Sequence, residues 1–439
     1  STRARRALLS RLPRILVEDA MRSTRRLALR GALRVGRLEA ALSGVRASVA
    51  VARADRPLPP AGARVRLPGD AAVYSHRPPF GMQVHPLGTA GKVNALAATC
   101  TPAARRRGWR CRRRTLAAAA DRLVQIGVPA GPTLRFEYLF AFGGGRPGWV
   151  SAMTQATGAQ ALARASAITK QRRYAVAARE AYRALTRDAP RGAAVRDESG
   201  LVRQLAMYSF RPGLRVLNGE EQALIGVADY ARITRDRDAA RLARRAARAL
   251  AARLPGFDTG AWTLYSLNGA EADMNYHTLA ARFARGMCRR ALARGFCPAA
   301  ARFTRYTTEA PRLWLTVPAR ARAPRRVTIA LGASKQSAAR VSVRDRTGRV
   351  LLDRRLVLGR GGARLLLPVR RAGHLTVALD ARAINGRGAR RTATVTVTPP
   401  PPKPKPKPNK TPKKQAAAKD STRAERLDQG SAKRTKPGS

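Results

Sequence analysis

Phe257-Asp258-Thr259-Gly260-Ala261-Trp262-Thr263-Leu264-Tyr265 is the most informative stretch of this 439-residue chain, and Asn275-Tyr276-His277-Thr278 follows it closely. Together they bring two tyrosines, a histidine and a tryptophan into one short polar segment. Asp258-Thr259-Gly260 is typical of a turn with a local side-chain cap. The sequence therefore predicts a loop that carries reactive side chains between two helices.

Helical periodicity surrounds this loop, from about residue 156 to residue 300. Pro255-Gly256 ends one helix, whose buried face is predicted to be Leu242, Ala246, Leu250 and Leu254. A helix before it has one apolar face, formed by Tyr174, Ala178, Ala181, Tyr182 and Leu185. A third helix is predicted from Thr115 to Ile126. Paired helices joined by polar, Gly-rich loops fit a mainly α fold of the (α/α) toroid type, in which the loops at one end line a cleft.

The period of the pattern changes near residue 311. Turn residues such as Asp345-Arg346-Thr347-Gly348 separate seven short apolar runs, at 313–317, 327–329, 341–343, 350–352, 365–367, 375–377 and 394–397. Short runs at this spacing predict a small all-β domain of the immunoglobulin-like or fibronectin-like sandwich type.

The chain is predicted to divide into four parts. Residues 1–65 form a basic helical segment and a linker, which either touches a membrane surface or packs on the core. Residues 66–310 form the mainly α domain, and residues 311–398 form the β-sandwich. Residues 399–439, rich in proline and lysine, are predicted to be a disordered tail that either grips an anionic cell envelope or has no function. No stretch reaches the ~20 apolar residues of a transmembrane helix.

The charge of the chain is strongly positive, with 87 lysine and arginine residues against 26 aspartate and glutamate residues and a net charge of +61. Such a charge attracts polyanions, so nucleic acid, anionic lipid and acidic polysaccharide are the candidate partners. Individual arginines can equally be solvated surface residues. Nucleic acid is disfavoured because the sequence contains no zinc-finger spacing, RNA-binding aromatic motif or basic zipper.

The four cysteines form two local pairs, Cys100 with Cys111 and Cys288 with Cys297. Neither pair has the spacing of a metal site, and no histidine lies nearby in sequence. Two disulfides that close short loops are favoured over four free thiols, since the required Cα separation is easily met. Disulfides predict a secreted or cell-envelope location, outside the cytoplasm.

The order of the blocks resembles the C-terminal domain of the D-glucuronyl C5-epimerases, over about residues 72–290. Besides the opening stretch, the resemblance is carried by Trp149-Val150-Ser151-Ala152-Met153-Thr154-Gln155 and by Val216-Leu217-Asn218-Gly219. Gly81-Met82-Gln83-Val84-His85-Pro86 is similar to bacterial members. These enzymes are isomerases that invert C5 of glucuronic acid units in heparan-type polysaccharides. The resemblance implies an acidic polysaccharide as partner, and neither a metal nor an organic cofactor.

Inversion at C5 requires a base, stabilisation of the enolate-like charge and an acid on the opposite face. The resemblance implies three tyrosines for this work: Tyr208, ten residues before Asn218, then Tyr265 and Tyr276. We expect Tyr208 and Tyr265 to transfer protons, and Tyr276 to orient the substrate or stabilise charge. Phenols can do this if nearby arginines lower their pKa from ~10 toward neutrality.

Some positions depart from the family pattern. Met207 stands where animal members have a glutamate, and Ser266-Leu267-Asn268-Gly269 replaces a run that contains a substrate-binding arginine. Glu220, Glu221 and Asp273 are acids that can replace the glutamate. The substrate-binding candidates are Arg203, Arg211, Asn218, Trp262, Asn268 and His277. Arg203 and Arg211 suit a carboxylate, whereas Asn218, Trp262 and His277 also have ordinary structural interpretations.

Four functions therefore remain open at this point. The first is a polysaccharide uronosyl C5-epimerase, and the second is a non-catalytic polysaccharide-binding protein on the same fold. The third is a uronate lyase, because β-elimination begins with the same proton abstraction. The fourth is a nucleic-acid binder, supported by charge alone. A homodimer is compatible with each of them.

Overall fold

The structure, a computed structural model, describes residues 2–29, 35–54 and 57–400. Beyond residue 400 the predicted tail lies outside the described residues. The helices are α1 Thr2–Leu29, α2 Val35–Arg53, α3 Pro86–Ala98, α4 Pro102–Arg106, α5 Arg113–Gln125, α6 Ala152–Thr169, α7 Arg172–Thr186, α8 Leu217–Thr234, α9 Arg237–Arg253, α10 Met274–Arg289 and α11 Phe296–Tyr306. The strands are β1 Arg64–Arg66, β2 Val73–His76, β3 Met82–Val84, β4 Val128–Pro129, β5 Leu134–Arg135, β6 Ala194–Arg196, β7 Val202–Leu205, β8 Leu313–Thr316, β9 Arg320–Arg322, β10 Arg325–Ala333, β11 Ser337–Asp345, β12 Val350–Leu358, β13 Ala363–Val369, β14 Gly373–Ala383 and β15 Gly388–Thr398.

The helical part is built from pairs of helices around one hydrophobic cluster that extends from Leu16 to Tyr306. α3 packs on α5, α6 on α7, α8 on α9, and α10 on α11. The first helices of these pairs, α3, α6, α8 and α10, also contact one another in that order. The predicted apolar faces of α7 and α9 are buried, so both predictions are confirmed. Closure of this row of pairs into a toroid stays a prediction.

The N-terminal helices pack on the core. α1 contacts α2, and α2 contacts β3. In the described part of α1, Leu16, Ala20 and Leu27 are buried. This favours the packed arm over the membrane-surface alternative. None of the helices within the described residues is long and apolar enough to cross a membrane.

Short hairpins interrupt the helical part and were not predicted. β1, β2 and β3 form a small antiparallel sheet, and β4–β5 and β6–β7 each form a hairpin. Strands of two to four residues have too few positions for an alternating pattern, so periodicity cannot reveal them. These hairpins matter because two of them lie beside the candidate site.

All seven apolar runs after residue 311 lie in strands, and this prediction is confirmed. The strands form a three-stranded sheet, in the order β13-β10-β8, and a five-stranded sheet, in the order β12-β11-β14-β15-β9. Both sheets contribute to one hydrophobic cluster that is separate from the helical one. The eighth strand, β9, was missed because it is three residues long and contains two arginines. An immunoglobulin-like or fibronectin-like topology stays a prediction.

The sheets also contact the helical part. Lys335, which is 1% exposed, donates to the carbonyl oxygens of Tyr306 and Glu309, each at 3.0 Å. Its ammonium group lies 5.1 Å from the centre of the Trp262 ring. The amide of Gln336 donates to Glu271 at 2.5 Å. These contacts join the turn between β10 and β11 to the end of α11 and to the loop between α9 and α10, which contains Trp262 and Glu271.

Both predicted disulfides are present, Cys100–Cys111 and Cys288–Cys297. The first closes the loop around α4, and the second ties the end of α10 to the start of α11. They are compatible with an extracellular location.

Candidate functional site

The three tyrosines of the sequence pattern lie together. Tyr208 follows β7, Tyr265 lies in the loop between α9 and α10, and Tyr276 lies in the first turn of α10. The hydroxyl groups of Tyr208 and Tyr265 are hydrogen-bonded at 3.0 Å. The rings of Tyr265 and Tyr276 meet edge to face, with centres 4.9 Å apart. Residues 68 positions apart in the chain thus form one tyrosine cluster, which we define as Tyr208, Tyr265 and Tyr276.

Backbone pairing positions Tyr265. The carbonyl oxygen of Tyr265 accepts from the amide of Leu217 at 3.2 Å, and its own amide donates to Ala270 at 3.0 Å. Val216 and Ser266 form an antiparallel bridge. The loop is therefore tied to the start of α8 on one side and closed on itself on the other.

An aromatic wall supports Tyr208. Trp149 stacks on Tyr138 with ring centres 4.1 Å apart, and it also lies 5.8 Å from the Tyr208 ring. Phe142 and Phe210 approach Tyr208 at 5.6 Å each. Trp149 is 7% exposed, and its indole N–H donates to Phe140. Trp149 is thus a packing residue.

Sequence reasoning missed Arg77, which lies beside the tyrosine cluster. Burial lowers the pKa of its guanidinium, while charge interactions with Tyr138, Tyr276 and Tyr208 oppose that shift. The guanidinium stacks over Phe140 at 4.9 Å, and its Nε is buried without a hydrogen-bond partner. No acidic residue in the described part of the chain forms an ion pair with it. A half-buried cation without a counter-ion suits an anionic ligand group.

The turn between β2 and β3 holds Arg77. The amide of Arg77 donates to the Gly81 carbonyl at 2.9 Å. Gly81 has a positive φ of 71°, and a Cβ there would lie 2.7 Å from Ala20 Cβ and 2.8 Å from the Leu16 carbonyl oxygen. Only glycine fits, so α1 presses directly on the turn. The signal in the sequence was slight, since Arg77 follows a short strand within the region of weaker resemblance.

The pKa values of all three phenols are raised, and burial is the main cause. The expectation that arginines lower them toward neutrality is therefore wrong for the free protein. The three phenols nevertheless differ. The hydrogen bond from Tyr265 and the charge of Arg77 both act to lower the pKa of Tyr208, whereas the same hydrogen bond raises that of Tyr265. Within the hydrogen-bonded pair, Tyr208 is thus the phenol whose ionised form the surroundings stabilise more.

Trp262 and His277 lie in the core. The two rings stack with centres 3.6 Å apart, and neither side chain is exposed. His277 Nε2 faces the carbonyl oxygen of Phe303 at 2.9 Å, so it must be the N–H donor. Its Nδ1 then accepts from the Thr263 hydroxyl at 2.8 Å. Both nitrogens are occupied, which leaves none to bind a substrate in this state.

The remaining substrate-binding candidates are dispersed. Arg203 is exposed on β7 and pairs with Asp197. Arg211 is exposed, and its backbone amide donates to the Tyr208 carbonyl at 3.0 Å. Asn218 is buried in the first turn of α8, and Asn268 is exposed at a turn with a φ of 60°. Of these candidates, Arg211 is joined to Tyr208 by a backbone hydrogen bond, and the Arg203 side chain is engaged with Asp197.

Residues 131–302 match the family model of the D-glucuronyl C5-epimerase C-terminus. This segment belongs to the D-glucuronyl C5-epimerase C-terminal family. A search of the curated proteins found no match. Residues 131–302, which we call the epimerase segment, contain the whole tyrosine cluster and the aromatic wall, whereas Arg77 precedes them.

At the position of the family glutamate, the epimerase segment has Met207. Its sulfur accepts from the Ser151 hydroxyl at 3.6 Å and would lie 2.5 Å from a Cβ at Gly219, so the Met207 side chain packs directly against the start of α8. Glu220 is buried and paired with Arg253 at 3.0 Å, and burial raises its pKa to about 7. Among the described residues, neither carboxyl oxygen of the buried Glu221 has a hydrogen-bond partner, and burial raises its pKa well above the ordinary value.

Asp273 is an acid that contacts the tyrosine cluster directly. It is the N-cap of α10 and accepts from the Tyr276 amide at 2.8 Å. Its charge raises the pKa values of Tyr265 and Tyr276. Across the described residues, no three His, Cys, Asp or Glu side chains converge as a metal site would require.

Proposed function

We propose that this protein is a uronosyl C5-epimerase that acts on an acidic polysaccharide outside the cytoplasm. The observation that carries the proposal is the hydrogen-bonded pair Tyr208–Tyr265, which lies with Tyr276 and Arg77 in and beside an epimerase segment. Abstraction and return of the C5 proton, which is α to a carboxylate, require proton carriers such as phenols close to a cation. The two disulfides suit the extracellular location.

The two faces of the sugar require proton carriers on opposite sides of C5. Each oxygen has to come within about 3 Å of the carbon, so the two oxygens have to lie about 6 Å apart. Tyr208 and Tyr265, at 3.0 Å, are too close to be on opposite faces in this state. We therefore assign the Tyr208–Tyr265 pair to one face and Tyr276, which is 37% exposed, to the other.

Within the pair, Tyr208 acts in its phenolate form, which Tyr265 stabilises by donating a hydrogen bond, and it becomes a neutral phenol when it takes the C5 proton. Arg77 binds the substrate carboxylate and holds the charge that develops on it as the proton leaves. Because the pKa of Tyr208 is raised, kcat/KM for the reaction that it initiates is expected to rise with pH between 6 and 9 in proportion to the phenolate fraction.

The test is deuterium incorporation from solvent at C5 of polymers that contain glucuronic acid, followed by NMR. The wild-type protein is expected to incorporate label and to produce the inverted sugar. In Tyr276→Phe, one face of the sugar keeps its proton carrier. This variant is therefore expected to exchange the C5 proton of one of the two epimers for deuterium without inverting C5. Tyr208→Phe and Tyr265→Phe are expected to lose exchange on the face that they serve.

Tyr182→Phe is the matched control, since this phenol is buried among α7 and α8, where its ring stacks on Tyr230. It is expected to keep wild-type exchange. If Tyr276→Phe inverts C5 as fast as the wild type, the assignment of faces is wrong. Unsaturated sugar in place of inverted sugar would identify a lyase.

One observation favours a second function, a non-catalytic polysaccharide-binding protein. Met207 occupies the position of the family glutamate, and the nearby Glu220 is held by Arg253. Saturable binding of a uronic acid polymer with no label at C5 in any polymer would support this alternative and exclude the epimerase.

A further inference from the structure

A second feature lies at the far ends of two helices that begin at the tyrosine cluster. α8 starts at Leu217, beside Tyr265, and α10 starts at Met274. The last residues of both helices, together with the first half of α9, line a cavity of about 670 Å³. An 18-residue helix such as α8 is about 27 Å long. The cavity is therefore separate from the candidate site.

Arginines dominate the rim of this cavity. Five of them are exposed: Arg232, Arg235, Arg237, Arg244 and Arg289. None of the five has a side-chain hydrogen bond or an ion pair within residues 2–29, 35–54 and 57–400. Five like charges around one cavity repel one another, so an anion that binds there relieves an unfavourable interaction. We name this surface the arginine groove and define it by these five residues.

The floor of the groove is an ion network that is already complete. Asp229, 4% exposed, accepts from Arg290 at 2.9 and 2.8 Å, from Arg164 at 2.6 Å and from Gln160 at 2.7 Å. With four hydrogen bonds, its carboxylate cannot neutralise the rim. Asp236 caps α9 by accepting from the Ala239 amide at 2.9 Å. The rim arginines thus lie above an ion-paired floor, and Asp236 adds one carboxylate to the lining against five rim arginines.

We propose that the arginine groove binds a second stretch of the acidic polysaccharide, away from the tyrosine cluster. The class of ligand rests on the function proposed above. Guanidinium groups bind carboxylate and sulfate through paired N–H donors, which suits the acidic groups of such a chain. The residues that line the cavity include no aromatic side chain, so the groove has no surface on which nucleic acid bases can stack.

Two separated sites on one polymer make binding length-dependent. A chain that reaches both sites binds more tightly than a short one, because the second contact becomes intramolecular. A short oligosaccharide that fills only the tyrosine cluster does not benefit. The groove is therefore expected to determine the preference for long chains and to leave the chemistry at C5 unchanged.

The experiment compares two triple variants of equal charge. Arg232→Gln, Arg244→Gln and Arg289→Gln together remove three rim charges. Arg172→Gln, Arg187→Gln and Arg248→Gln remove three exposed arginines that lie outside the groove and have no ion pair in the described structure. Binding is measured at physiological salt with a long polymer of alternating glucuronic acid and N-acetylglucosamine, with its tetrasaccharide, and with single-stranded DNA of matched charge.

The groove variant is expected to bind the long polymer about tenfold more weakly than the wild type, with unchanged tetrasaccharide binding. The control variant is expected to stay within about twofold of the wild type. Equal losses in the two triples would overturn the proposal and leave only a general charge effect. A groove variant that loses DNA binding but keeps polymer binding would identify the groove as a nucleic-acid surface.

Binding separates this proposal from the proposed activity. Each binding measurement is paired with a C5 deuterium exchange assay of the same protein, for the wild type and for both triple variants. Groove-dependent polymer binding without deuterium exchange in any variant supports the groove and rejects the epimerase. Exchange with no effect of the groove variant rejects the groove and keeps the epimerase.

Discussion

Arg77 is the single residue on which the proposed chemistry at the substrate carboxylate depends. It is half-buried, lies within the charge field of three tyrosines and has an Nε without a partner. Arg203, the candidate from the sequence, instead pairs with Asp197 in a hairpin. The two arginines therefore form a natural comparison for mutagenesis.

Arg77→Met is expected to lower kcat/KM about 100-fold, because a charge-assisted pair with the substrate contributes about 3 kcal/mol at a half-buried site. Arg77→Lys is expected to recover part of this loss, since it keeps the charge without the fork of donors. Arg203→Met is the control and is expected to change kcat/KM less than about threefold. Initial rates of C5 exchange provide the measurement, and equal effects of Arg77→Met and Arg203→Met would contradict the assignment.

His277 is a buried neutral residue, and its titration links folding to pH. Burial lowers its pKa from 6.5 to about 4. Between these two values the unfolded chain binds a proton that the folded protein does not. The free energy of unfolding therefore falls as the pH drops from 6.5 toward 4, by up to about 3 kcal/mol from this residue.

Urea unfolding of the wild type and of His277→Gln between pH 4 and 7.5 measures this contribution. The variant is expected to be less stable at pH 7 and to show a flatter dependence on pH below 6.5. Groups other than His277 titrate in both proteins and cancel in the difference between the two curves. Parallel curves would mean that His277 is protonated in the folded protein.

At the scale of elements, the start of α10 links helix stability to the tyrosine cluster. Asp273 caps this helix through the amide of Tyr276, at 2.8 Å. Asp236 caps α9 in the same way, through the amide of Ala239 at 2.9 Å. Both caps satisfy backbone donors that are otherwise unpaired at a helix start.

Asp273→Ala and Asp236→Ala are each expected to lower the free energy of unfolding by about 1 kcal/mol. Only Asp273→Ala is expected to slow inversion at C5, because it loosens the turn that holds Tyr276. Chemical denaturation and C5 exchange measure the two effects. Equal inversion rates in both variants would show that the cap does not position Tyr276.

The apolar faces of α7 and α9 and the seven apolar runs after residue 311 could be predicted because each segment contains its own pattern. Leu242, Ala246 and Leu250 repeat with the helical period and are all buried. The hairpin β2–β3 could not be predicted in this way, since its strands of four and three residues are buried throughout and show no alternation. Its position depends on contacts with α1 and α2, which are remote in sequence.

At the scale of the whole molecule, the sheets support the loop that carries Tyr265. Lys335 reaches from the sheets to Trp262 and to two backbone carbonyl groups at the end of α11. Asn385 adds a donor to the Glu309 carbonyl at 2.8 Å. We propose on this basis that residues 66–310 and 311–398 are two domains joined by a specific polar contact, and not by a flexible linker.

Lys335→Met is expected to lower the free energy of unfolding by about 2 kcal/mol, because the carbonyl groups of Tyr306 and Glu309 lose their charged donor and keep only Asn385. Hydrogen exchange of amides in residues 262–272 and 306–312 is expected to become faster, with no change in α6. Arg340→Met is the control, since Arg340 is exposed in the same sheet and pairs with Asp353. Unchanged exchange in residues 262–272 would show that the sheets do not support this loop.

The sequence by itself determined the apolar faces of α7 and α9, the seven apolar runs of the sheets, both disulfides and the epimerase resemblance with its three tyrosines. Each of these depends on local periodicity, on spacing or on a motif, which the chain contains without reference to its fold. Only the tertiary structure decided that Tyr208 and Tyr265 share a hydrogen bond, that Arg77 joins them and that His277 and Trp262 are core residues. It also decided the direction of the phenol pKa shifts. The physical reason is that burial and charge depend on which remote segments fold against a side chain, and no local pattern in the sequence contains that information.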